Sequence, residues 1–155
     1  MEQAAPGEFE LGTDGPKEIL VGVDDSTTSL RAASYAAGLA RRQGASVTAV
    51  YVGPIASLGA GTPGGAAMIA TQRQATQEIA ESMRRRAEEA SRYLGISITF
   101  IAVEGDPYTE LRRIADEIRA DAVVVGASAK AGHRLIGSLA VRLVRAGRWP
   151  VTVVP

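Results

Sequence analysis

The chain of 155 residues contains no cysteine, a single histidine (His133) and only two lysines (Lys17 and Lys130). The absence of cysteine excludes disulfide staples, thiolate metal sites and cysteine nucleophiles, and it fits a reducing compartment. One histidine excludes a two-histidine metal site within one chain. Lys plus Arg and Asp plus Glu both total 17, so the formal net charge is zero. No surplus of positive charge draws the chain to nucleic acid or to an anionic membrane. Tyr51, Tyr93 and Tyr108 lack the spacing of a stacking platform for single strands. No apolar run approaches the ~18 residues that span a bilayer. Residues 1 to 16 have neither a basic stretch nor an apolar one, so they do not read as a secretory signal. The expectation is a cytoplasmic protein with no nucleic-acid or membrane partner.

What is present is a length suited to one core. Hydrophobic residues make up 46% and charged residues 22%, the balance of an ordinary folded domain. Residues 1–16 mix Gly, Pro, Glu and Asp without period and read as a disordered tail. The folded part is expected over 17–155. Ile19-Leu20-Val21-Gly22-Val23 is a continuous apolar run, the pattern of a strand covered on both faces. Asp24-Asp25-Ser26-Thr27 ends it with cap-type residues. Leu30, Ala33, Ala37 and Ala40 then recur at helical spacing, a stripe of small residues that lets a helix approach a sheet closely. Gly44 stops that helix.

A second strand is expected over Ser46–Val52. The Gly-, Ala- and Pro-rich stretch from Gly53 to Ala67 reads as a mobile loop. A long helix follows from about Ile69 to Leu94, ended by Gly95. The third strand is Ser97–Val103. Asp106 and Pro107 then read as the N-cap and first residue of a helix striped with Leu111, Ile114, Ala115 and Ile118. Asp121–Gly126 is the fourth strand. A loop leads to Gly137-Ser138 and a helix through about Ala146, and Pro150–Val154 closes the chain as a fifth strand. Strands that alternate with helices make a parallel sheet wrapped on both faces with right-handed crossovers, an α/β, Rossmann-like class. Ligands of such sheets sit beyond the carboxyl ends of strands, where the strand order reverses.

The exit of the fourth strand concentrates the features a phosphate needs. Gly126, Gly132 and Gly137 permit close backbone approach. Gly137-Ser138 opens a helix whose free N–H groups favour an anion. Lys130, His133 and Arg134 supply cations in the same loop. A glycine-punctuated connection with exposed basic residues reads the same residues equally well. The Gly-Lys-Ser or Gly-Lys-Thr ending of a Walker loop is absent. Arg84-Arg85-Arg86 with Glu88-Glu89 reads as a solvated helix face with local ion pairs.

Taken together, Ile19 to Ser26, Gly105-Asp106-Pro107, the fourth strand with its Gly-rich loop, Gly137-Ser138, and Trp149-Pro150-Val151-Thr152-Val153-Val154 resemble the universal stress protein family. The resemblance spans about residues 17 to 155. It implies a doubly wound five-stranded sheet of order 3-2-1-4-5 and a homodimer paired through the last strand. It also implies an adenine nucleotide, ATP, as ligand in those members that carry Gly, two residues, Gly, nine residues, Gly and then Ser or Thr. Here Gly126 and Gly137-Ser138 match the ends of that pattern. Ala129 replaces the middle glycine, and seven residues, Lys130 to Ile136, separate it from Gly137.

The resemblance places Asp24 near the ligand, Val50 or Val52 near the adenine, and Gly126, Ser128, Gly137, Ser138 and Leu139 along the phosphates; Lys130 and Arg134 join them as phosphate partners on the loop's own charge. Asp25 and Ser26 read as helix-capping residues. The expected function is a non-enzymatic stress-response binding module for an adenine nucleotide. A nucleotide-independent interaction module is the alternative, and a slow nucleotide hydrolase, resting on fold analogy, the third.

Overall fold

Five short strands rich in Val, Ile and Ala alternate with four helices in a computed structural model that describes residues 15–57, 59–128 and 137–155. The elements are β1 (Glu18–Val23), α1 (Thr27–Gln43), β2 (Ser46–Gly53), α2 (Gly65–Leu94), β3 (Ile98–Glu104), α3 (Pro107–Glu117), β4 (Ala122–Gly126), α4 (Ser138–Ala146) and β5 (Val151–Val154). All strand pairs are parallel, as the alternation of strands and helices predicts, and the sheet order is β3-β2-β1-β4-β5, as the family resemblance implies. The tail expected over residues 1–16 lies outside the described residues up to residue 14. So do Ala129 and the loop residues Lys130, Gly132, His133 and Arg134.

Why the sheet is buried on both sides follows from its central strands. Ile19, Val21 and Val23 of β1 point to one face and Leu20 to the other, the two-residue alternation of a strand. On the first face they meet Ala32, Ala36 and Ala40 of α1, together with Val47, Ala49 and Tyr51 of β2. On the second face Leu20 joins Val50, Val123 and Val125 beneath Leu111 and Ile114 of α3 and Leu143 of α4. Each helix pair therefore covers one face, as right-handed crossovers from a 3-2-1-4-5 sheet require. At the amino end of the sheet, Asp121 Oδ2 accepts from the backbone N–H groups of Lys17 (2.8 Å) and Glu18 (2.9 Å), which ties β1 to β4.

Helix boundaries follow the capping chemistry. Ser26 is the N-cap of α1, its side chain accepting from Ser29 N at 3.2 Å. Asp106 caps α3, accepting from Thr109 N at 2.9 Å, with Pro107 at the first helical position. α2 starts at Gly65, four residues ahead of the apolar pattern that begins at Ile69. Ala66, Ala67 and Met68 are exposed on that first turn, so no apolar stripe marks it. No helix among the described residues is long and apolar enough to cross a membrane.

Candidate functional site

The strand order reverses between β1 and β4, and the carboxyl ends of these two strands are where a ligand crevice is built in this architecture. Two short segments meet there. The first is the turn Asp24 to Ser29 from β1 into α1. Asp24 Oδ1 accepts from Ser26 N (2.8 Å), and Ser29 Oγ donates to the Asp24 carbonyl (2.6 Å). Ser26 is the capping residue the sequence indicates. Asp24 is an exposed carboxylate that shapes the same turn.

The second segment is the exit of β4, Gly126-Ala127-Ser128. Thr28 Oγ1 donates to the Ala127 carbonyl at 2.7 Å, and Ala127 N donates to the Val154 carbonyl at 2.7 Å. The first turn of α1 thus lies directly against β4. A Cβ on Gly126 would stand 2.6 Å from the carbonyl carbon of Thr28 and 2.7 Å from Ser29 N, an approach no side chain permits. Gly126 is required by helix–strand packing, whatever binds nearby. Gly137 is similar, since a Cβ there would sit 2.8 Å from Ser128 Cβ.

Gly137 is the N-cap of α4 and offers no side-chain cap to the free N–H groups of that helix. Ser138 is exposed at the first position and Leu139 is half-buried against the α3/α4 core. Gly126, Ser128, Gly137, Ser138 and Leu139 are therefore brought together, with Asp24 one strand away. Lys130 and Arg134, expected beside them, lie outside the described residues.

On β2 the two expected valines differ. Val50 is 1% exposed and belongs to the core under α3, whereas Val52, nearer the strand end, is partly exposed. Between them Tyr51 faces the other way, toward α2. Its phenol is held above its ordinary pKa by burial first, then by the Asp25 and Asp24 carboxylates. Its hydroxyl is hydrogen-bonded to Thr76 of α2, a packing role beside those acids that went unrecognised in the sequence. Its signal was its place at the end of β2, two residues beyond Ala49 on the inward phase. Among the described residues no cluster of three His, Asp or Glu side chains that could hold a metal is formed.

Around α3, Asp106 adds a second anchoring point. Its carboxyl sits below the ordinary carboxylate range, chiefly because it accepts from Thr109 N. Arg142 of α4 reaches it at 3.4 Å while lying 4.2 Å from the centre of the Tyr108 ring. The guanidinium thereby clamps the start of α3 to α4.

This arrangement matches known proteins. The model of the universal stress protein family matches residues 16–155. A universal stress protein of Methanocaldococcus jannaschii is 32% identical over 142 residues, covering 89% of this chain and 81% of that protein. The chain belongs to the universal stress protein family. Among solved structures, UspA of Lactobacillus plantarum superposes with a TM-score of 0.77 at 24% identity, covering 90% of this chain and 97% of that one. A universal stress protein crystallised in complex with cAMP gives a TM-score of 0.65 at 25% identity, covering 90% and 96%.

Proposed function

We propose that this chain is a stress-response binding module that holds an adenine nucleotide, ATP among them, beyond the carboxyl ends of β1, β2 and β4. The observation that carries the reading is the pairing of Gly137-Ser138, an α4 start with no side-chain cap, with the β4 exit at the point of strand reversal. Free N–H groups there suit a phosphate. The family member solved with cAMP supports the same class of ligand. Val52 lies on the adenine side, Ser138 and Gly137 on the phosphate side, and Lys130 and Arg134 add charge from the loop. In this reading the protein acts by binding and not by catalysis. It works in the cytoplasm as a homodimer in which β5, an edge strand, pairs with its copy and leaves no open backbone row.

One observation favours the nucleotide-independent alternative. Gly126 and Gly137 both have packing reasons to be glycine, so their presence alone does not demand a phosphate. Ala129 and the seven-residue spacing to Gly137 point the same way.

The two readings separate in a calorimetric titration of the protein with ATP, ADP and cAMP, with and without magnesium. Ser138→Glu is the informative variant. A carboxylate at the first helical position suits the helix dipole, so folding is kept, yet it repels an anion. Nucleotide binding predicts saturable heat that Ser138→Glu abolishes and Ser138→Ala leaves in place. No heat up to millimolar nucleotide, a limit of about −4 kcal/mol at 1 mM, overturns the reading in favour of the interaction module. Heat unchanged by Ser138→Glu places the ligand away from α4. Light scattering that shows a strict monomer at micromolar concentration removes the dimer.

A further inference from the structure

The α1/α2 face of the sheet carries an open apolar groove of about 770 Å³, lined among others by Leu30, Ala33, Ala37, Met83, Ala90 and Phe100. It exists because α1 meets the sheet through alanines, which leave the space between α1 and α2 unfilled. An exposed apolar surface of this kind marks a binding surface. Arg41 and Arg86 stand on its walls together with Glu89. Neither arginine belongs to an ion pair among the described residues.

The chain holds a segment suited to that groove. Residues 1–14 contain Glu2, Glu8, Glu10 and Asp14 and no Lys or Arg. α1 carries three arginines and no acid, and α2 five arginines against four glutamates, so the two helices present the opposite charge. Within the segment Phe9 and Leu11 are two residues apart. In an extended chain they share one face, while Glu8 and Glu10 share the other. The described chain begins at Gly15, where an added Cβ would collide with Gln43 Oε1, beside the carboxyl end of α1. That is the end of the groove where Arg41, Tyr93 and Leu94 line it. From Gly15 an extended chain brings Leu11 about 13 Å and Phe9 about 20 Å away. Along α1 the groove from Arg41 to Leu30 is about 17 Å long. The reach matches.

We propose that residues 1–14 dock in the α1/α2 groove of their own chain, with Phe9 and Leu11 inserted between Leu30, Ala37, Met83 and Ala90 and the flanking glutamates turned toward Arg41 and Arg86. The segment is its own ligand, held at the millimolar effective concentration that a short tether gives. This does not depend on the nucleotide reading, because the groove lies on the face opposite α4.

The test uses the full chain, whose lack of cysteine allows one introduced thiol to be labelled uniquely. A nitroxide is attached through Gly7→Cys in isotopically labelled protein, and its broadening of amide resonances is mapped against the reduced label. Docking predicts strong broadening at Ala37, Met83 and Ala90 and none at Ala115 or Leu143 on the opposite face. Phe9→Ser with Leu11→Ser should remove the pattern without moving the core resonances, and Arg41→Glu with Arg86→Glu should weaken it. Broadening that is absent, or weak and spread over the whole surface, overturns the proposal. So does a pattern that survives Phe9→Ser with Leu11→Ser. Broadening of isotope-labelled molecules by nitroxide carried on unlabelled ones overturns it in favour of exchange with a second copy.

Discussion

The two faces of the sheet are covered by different means. On the α3/α4 face, Leu111, Ile114 and Leu143 reach down to Leu20, Val123 and Val125, with Trp149 closing the edge. On the α1/α2 face the helix side of the core is mostly alanine: Ala32, Ala36 and Ala40 touch the strands, and α2 adds Met83 as its buried apolar residue. Large side chains fill the angle between two helices, whereas small ones let a helix lie close and leave that angle empty. The difference separates a face that stores stability from a face that keeps a surface open.

The largest effect should come from hollowing the filled face. Leu143 is fully buried, so Leu143→Ala should cost about 2–5 kcal/mol through lost transfer energy and the cavity left behind. Urea unfolding should show a lower midpoint with an unchanged slope. A loss below ~1 kcal/mol would mean that the α3/α4 face collapses around the gap, and the contrast between the faces would dissolve.

A sharper comparison lies within α1 itself. Ala36 is fully buried against the strands, and Ala33, three residues earlier, lines the groove. Ala36→Leu should destabilise by about 1–3 kcal/mol, because the added atoms must push the helix off the sheet. Ala33→Leu adds the same atoms toward the groove, where they meet only the docked segment, and should stay within about 0.5 kcal/mol of the parent. Equal losses at both positions would show that the groove has no room.

These features differ in how far the sequence discloses them. β1 and β4 were legible because Ile19 to Val23 and Val123 to Val125 are unbroken apolar runs, the mark of strands covered twice. Ser26 and Asp106 were legible as caps because capping is local chemistry. The alanines on α1 announced a close approach, but of the stripe Leu30, Ala33, Ala37 and Ala40 the first three line the groove, and Ala32 and Ala36 join Ala40 against the strands, since the contact face depends on where α2 lies. The first turn of α2 was hidden because Ala66, Ala67 and Met68 face solvent. At the site, Gly126 and Gly137 read in the sequence as glycines for the close approach of a ligand, whereas in the structure it is the protein's own atoms that come close. What approaches them, Thr28 and Ser29 at one and Ser128 at the other, is a long-range contact that no spacing reports. Tyr51 was overlooked for the same reason, because its acid neighbours come from β1's turn.

The smallest effect concerns what holds each helix pair together. α3 and α4 are joined by Asp106, Arg142 and Tyr108, whereas among the described residues no ion pair joins α1 to α2. Asp106→Asn keeps a good N-cap and nearly the same shape while removing the charge. In the folded chain the Asp106 carboxyl titrates below its ordinary value of 3.8, first because Thr109 N donates to it, with Arg142 contributing less. A depressed carboxylate pKa contributes stability that is complete above the unfolded value and is lost as pH falls through the folded one. The parent should therefore exceed Asp106→Asn in stability at neutral pH, and the margin should shrink as pH drops below 3.8. Because a hydrogen bond outweighs the ion pair, added salt should change that margin little, although it screens exposed charges. Urea midpoints of the two proteins, compared from neutral to acid pH, measure it. A margin that vanishes in high salt at neutral pH would assign it to the Arg142 ion pair and not to the Thr109 hydrogen bond, and a margin that grows in acid would reverse the sign of the linkage.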